Sequence, residues 1–187
     1  WSSDVCSSDL FLMGIYLLII AIKDTQWQGV YFKHDLSWRR GKLCQFAGVL
    51  SMVSSEVSVA MLTIITADRL ICIVFSFRFR RLSFKRACFL CTVVWLLGIM
   101  ISTVPLMGID YFNDTKKGVG FYGRSAVCLP LQLSSDRPAG WEYSVSFFIA
   151  FNFVAFMFML VSYIAMFVKA KKIGGAVRST NVRNETA

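Results

Sequence analysis

Four stretches of this chain carry apolar side chains on every face, with no polar stripe recurring at helical or strand spacing. They are Phe11 to Ile22, Cys44 to Phe75, Ala87 to Met107 and Tyr143 to Val168. A helix rising 1.5 Å per residue needs about 20 apolar residues to cross a hydrocarbon layer of about 30 Å. The last three runs meet that length and the first falls short of it. A soluble helix keeps a polar face, so the pattern predicts an all-α membrane protein with about four helices, the first incomplete. Polar segments separate the runs at 23–43, 76–86 and 108–142, and a polar tail follows from 169 to 187.

Composition agrees with this reading. Hydrophobic residues make up 56% of the 187, Phe occurs 17 times, and the mean hydropathy is +0.59. The formal charge of +9 could suggest nucleic acid, but its placement points to a membrane. Segment 76–86 carries Arg78, Arg80, Arg81, Lys85 and Arg86 with no acid, and the tail carries Lys169, Lys171, Lys172, Arg178 and Arg183 against Glu185. The other two segments mix their basic residues with Asp24, Asp35, Asp110, Asp114 and Asp136. This mild bias orients 76–86 and the tail toward the cytoplasm. There the basic residues either anchor the helices to the bilayer or meet a partner.

Cysteines sharpen the orientation. Cys72, Cys88 and Cys91 lie at the inner halves of helices, while Cys44 and Cys128 fall on one face by helix parity. An oxidising exterior would let Cys44 and Cys128 pair; the alternative is two free thiols. The sequon Asn113-Asp114-Thr115 shares the long segment with Cys128, and its glycosylation makes sense only outside. A second sequon, Asn184-Glu185-Thr186, falls on the opposite side and should be silent. Residues Trp1 to Leu10 are Ser- and Asp-rich with a near-duplication, and read as a non-native, adapter-like segment. A genuine polar loop is the alternative. The polar stretch ending at Ala187 reads as an interrupted loop.

The second long run carries the most specific pattern. It holds Cys44, then Ser54-Ser55-Glu56-Val57-Ser58-Val59, then Asp68-Arg69, with the acidic and basic pair 24 and 25 residues beyond the cysteine. This resembles the third helix of rhodopsin-like G-protein-coupled receptors, and the Ser-Ser-Glu-Val-Ser-Val stretch is similar to the leucine-rich-repeat branch. Phe11-Leu12-Met13-Gly14-Ile15-Tyr16-Leu17 resembles that branch's second helix. Trp38, Trp95, Pro105 and Val127-Cys128-Leu129-Pro130-Leu131 also fit the branch. Ala155 stands where most rhodopsin-like receptors have proline, as is usual for this branch, and Arg178 to Thr186 resembles the third inner loop. Gly29-Val30-Tyr31-Phe32-Lys33-His34 leans toward relaxin-type receptors. The resemblance covers residues 11–187 and implies part of a seven-transmembrane helix bundle, helices 2 to 5, in a multi-pass plasma-membrane protein.

The resemblance implies roles for individual residues. Cys44 and Cys128 would form the outer disulfide. Asp68 would neutralise Arg69 at rest, and Arg69, once freed, would reach Tyr163 and the transducer. Phe77, which follows a Ser76 in the family's proline position, would enter a cleft on a heterotrimeric G protein beside Arg78, Arg80 and Arg81. Phe77 and Tyr163 could instead sit in the membrane interface, and Arg69 could simply snorkel. Glu56, halfway along its helix, costs on the order of 2–3 kcal/mol in the bilayer and should face the bundle. There it would be either a hydrogen-bonding partner to a neighbouring helix or a ligand contact. The family's sodium-binding aspartate should fall at position 10, where the chain has Leu10; Asp9 misses by one.

His34 reads as a solvated loop histidine, and Cys88-x-x-Cys91 as a packing or palmitoylation pair with no histidine partner for a metal. No catalytic constellation, cofactor motif or metal-ligand set appears, so an enzyme is not expected. The leading expectation is a fragment of a hormone or peptide receptor, with a relaxin- or insulin-like ligand captured by a repeat domain outside this chain. The other is a four-helix membrane scaffold or transporter subunit. A transporter should show paired Gly/Pro-broken helices or more intramembrane charge.

Overall fold

The computed structural model describes residues 2–74, 83–112, 119–130 and 140–185. Its long elements are α1 (Ser2–Gln26), α2 (Tyr31–Arg40), α3 (Lys42–Val74), α4 (Phe84–Thr103), α5 (Trp141–Ser144), a π-helical segment (Val145–Phe151) and α6 (Asn152–Glu185). Short 3-10 turns occupy Val104–Leu106, Asp110–Phe112 and Phe121–Arg124. Among the described residues, three stretches are long and apolar enough to cross a membrane: Lys42–Val74, Phe84–Leu106 and Trp141–Gly175. The described residues are thus nearly all helical, as part of a seven-helix bundle requires.

Local chemistry sets the ends. α1 gives out in the polar run Lys23-Asp24-Thr25-Gln26, and Gly29, at φ +79°, turns the chain into α2. A left-handed backbone is open to glycine at little cost. α4 stops against Pro105, which has no N–H to continue the helix, and the chain tightens into a 3-10 turn. Two elements depart from the pattern of apolar runs. The outer segment 23–43 contains the helix α2, which Trp38 pins by its burial. α1 starts at Ser2 and crosses residue 10 without a break, so the helix does not mark the boundary expected there.

α3 is the central strut, with α1, α4 and α6 packed around it. Its outer part joins Tyr16, Trp38, Cys44, Ala47 and Cys128 in one buried cluster. A second cluster sets Met52 against Phe112, Phe121 and Tyr122. The third, deeper in the membrane, packs Val53, Val57 and Met61 against Cys91, with Leu12, Val94 and Trp95 around them.

Glycine allows the closest approaches. A Cβ at Gly48 would lie 2.4 Å from the Tyr122 ring, and one at Gly98 would lie 2.6 Å from Val57 Cγ2. A Cβ at Gly123 would lie only 1.9 Å from the backbone oxygen of Arg39, which cannot rotate away as a side chain could. Gly123→Ala should therefore push the outer loop off α2 and destabilise the protein by about 1–3 kcal/mol. Thermal unfolding of the purified protein checks this, and an unchanged melting temperature would show that the loop does not rest on Arg39.

Candidate functional site

The outer end is a loop held open-chain by side chains. Residues 125–130 have no regular hydrogen-bond ladder, so their polar backbone groups need other partners. The disulfide Cys44–Cys128 ties them to the top of α3, with the Cα atoms 5.4 Å apart. Cys128 itself takes φ 54°, an uncommon left-handed conformation for a residue with a side chain. Trp38 Nε1 and the Tyr31 hydroxyl both donate to the Ala126 carbonyl, at 2.9 and 3.0 Å. The Tyr16 hydroxyl donates to Val127 O at 2.8 Å. Arg39 donates to Gly123 O and Arg124 O, each at 2.7 Å, while its third arm pairs with Asp35 at 3.2 Å. The loop's carbonyl row is thus read by α1 and α2.

Two tyrosines close the top of α4. A helix leaves its last four carbonyls without intrahelical partners. Tyr122 donates its hydroxyl to Ser102 O at 2.6 Å, and Tyr143 donates to Ile101 O. Burial pushes the Tyr122 hydroxyl pKa well above the ordinary tyrosine range, so it stays a proton donor. The loop, α4 and the start of the last span are therefore joined through one apolar knot, with Phe112, Phe121 and Tyr143 meeting edge to face. His34 is not merely solvated: its ring stacks on Trp27 with centroids 5.4 Å apart.

Halfway down, α3 presents polar groups on two opposite faces. On the α1 side, Ser54 Oγ donates to Asp9 O at 2.7 Å and Ser58 Oγ donates to the Asp9 carboxylate. Asp9 is 2% exposed while Leu10 is 64% exposed, so the inward acid is residue 9 and position 10 faces outward. On the other side Glu56, 6% exposed, accepts a hydrogen bond from Asn152 Nδ2 at 3.2 Å. Of the two roles open to Glu56, the structure supplies the bond to a neighbouring helix.

Asn152 was not singled out from the sequence. The signal was available: an amide within an apolar span demands a partner. It sits where the π-helical segment ends. A π turn bonds i to i+5 and leaves carbonyls out of the α pattern. The Asn152 amide takes them up, lying 2.9 Å from Phe148 O and 3.4 Å from Phe147 O. The widened turn thus occurs without a proline, and Ala155 is buried within α6.

At the inner end, Asp68 is buried and Arg69 exposed. Adjacent residues point about 100° apart around a helix, so the two side chains leave α3 on different sides. Arg39 and Asp35, on α2, form an ion pair. Tyr163 is 61% exposed. Phe77, Arg78, Arg80, Arg81 and the sequon residue Asn113 lie outside the described residues.

The sequence pattern of the family described as 7 transmembrane receptor (rhodopsin family) matches residues 8–187. G-protein coupled receptor GRL101 from Lymnaea stagnalis is 48% identical over 177 residues, covering 95% of this chain and 15% of that protein. Human relaxin receptor 2 is 35% identical over 181 residues, covering 96% of this chain and 23% of that receptor. Human relaxin receptor 1 is 34% identical over 182 residues, with 97% and 23% covered. The chain therefore spans less than a quarter of the length of these relatives.

The contact between Glu56 and Asn152 is open to measurement by a double-mutant cycle. Replacing each by Leu, singly and together, should give a coupling of about 0.6 kcal/mol, with about 1.7 as the upper end for interhelical bonds in membranes. Thermal unfolding in a lipid nanodisc supplies the four values; strictly additive losses would mean the two side chains do not bond.

Proposed function

This chain belongs to the rhodopsin family of seven-transmembrane receptors, in the leucine-rich-repeat branch that includes the relaxin receptors, and we propose that it serves as the transmitting core of a peptide-hormone receptor. Members of this family are signalling receptors. In our reading the whole protein sits in the plasma membrane, captures a relaxin- or insulin-like peptide outside, and activates a heterotrimeric G protein inside. Apolar, multi-pass helices support the membrane part of this reading. A four-helix scaffold or transporter is not favoured by the family match.

The observation that carries the proposal is the construction of α3. One rigid element is clamped at its outer end by Cys44–Cys128. Twenty-five residues on, about 37 Å at 1.5 Å per residue, it exposes Arg69 at its inner end. A signal must bias two helix arrangements that differ by a few kcal/mol. We assign the outer clamp to holding the reference frame and Arg69 to meeting the transducer. Tyr163 would be its partner in the active arrangement. Phe77, flanked by Arg78, Arg80 and Arg81, would complete the inner contact, and Asn113 would carry a glycan. Residues 11–22, 44–75, 87–107 and 143–168 then correspond to the second through fifth helices of the family.

Arg69→Ala in the complete receptor tests this assignment. Hormone-driven nucleotide exchange on the G protein should fall at least about tenfold, the effect of losing roughly 1.4 kcal/mol of transducer contact, with surface expression and hormone binding retained. Coupling equal to that of the parent receptor would overturn the role of Arg69.

A further inference from the structure

A cavity of about 210 Å³ opens between α3, α4 and the π-helical segment. Its wall includes Glu56, Val57, Ala60, Val94, Gly98 and Phe151. Every one of these except Glu56 presents hydrocarbon. Glu56 stands 12 residues from Cys44 and 12 from Asp68, about 18 Å from either end of the span, so the cavity lies near the middle of the membrane. Leu97 and Phe151 at its margin are exposed.

The acid in this wall is only half engaged. Asn152 occupies Glu56 Oε1, and no hydrogen bond reaches Oε2 among the described residues. Glu56 comes two residues after Ser54, about 200° round α3, so it faces away from the Asp9 side. A hydroxyl dissolved in hydrocarbon lacks any acceptor, and a buried carboxyl oxygen without a donor is in the same position. Bringing them together satisfies both. An apolar cavity of about 150 Å³ holds a benzene ring, so this one has room for one ring with small alkyl groups.

We propose that the cavity is a lipid-facing site for a small ring-bodied phenol or alcohol, its ring against Val57, Ala60 and Val94 and its hydroxyl donating to Glu56 Oε2. The occupant would wedge the π-helical segment against α3 and α4, beside the bond that Asn152 makes. Nothing at the outer disulfide or the inner end of α3 takes part.

The test is photolabelling of the full-length receptor in phosphatidylcholine nanodiscs with a tritiated diazirine-bearing alkylphenol. Labelling should be saturable and map to peptides of α3, α4 or the π-helical segment. Unlabelled 2,6-diisopropylphenol should compete, and its O-methyl ether, which has the same body but no donor, should compete at least tenfold less well. Ala60→Leu, which fills the cavity and leaves the acceptor alone, should abolish the saturable part. Glu56→Leu should weaken it about tenfold. If Glu56→Leu fails to reach the membrane, the ether and Ala60→Leu still decide. Equal competition by the ether would mean an acyl-like apolar occupant and overturn the proposal. Labelling spread without saturation over all lipid-facing helices, or unchanged in Ala60→Leu, would overturn it as well.

Discussion

In a hydrocarbon layer a polar group without a protein partner has no water to fall back on, and the chain's architecture follows from that constraint. Backbone groups satisfy it by staying helical. Several side chains satisfy it across helices: Ser54 and Ser58 donate to Asp9, and Asn152 donates to Glu56. Both pairs converge on α3, which is why that helix ends up at the centre with its neighbours around it. Serines at 51, 54 and 58 let those neighbours come close, since small side chains permit close helix contact in membranes.

Outside the membrane the same need is met differently. The loop around Cys128 makes its own turn at Ser125, and its remaining carbonyls face donors from Tyr16, Tyr31, Trp38 and Arg39. The disulfide fixes one point, and these donors fix the path on either side. Two tyrosines then cover the exposed end of α4. The result is a rigid outer plate, built from three separate stretches of sequence, resting on the top of α3.

The apolar spans and the cysteine pair were legible because each rests on a one-dimensional signal: a long apolar run, or a parity argument. α2 was not, because a ten-residue polar helix has no apolar run to announce it and depends on Trp38 being buried by a loop far away in sequence. The inward-facing acid on α1 was also missed. Its placement depends on helix rotation against α3, which no count along the sequence gives. Glu56 was legible as a group needing a partner, but the identity of that partner required the two helices to be brought together. Asp68 and Arg69 are adjacent in sequence, but that the first is buried and the second exposed depends on how α3 is rotated among its neighbours.

The π-helical segment changes how the last span must be aligned with anything else. A π turn takes up more residues than an α turn, so the side chains from Asn152 to Gly175 are shifted in angular phase relative to an unbroken helix drawn down from Trp141. Residues counted from the outer end therefore point to a different side than the count suggests, and the offset persists along α6. The inner half of this span is keyed to its own surroundings and not to the outer plate. A single inserted or deleted residue between Val145 and Phe151 would rotate that inner half as a block while leaving its composition untouched.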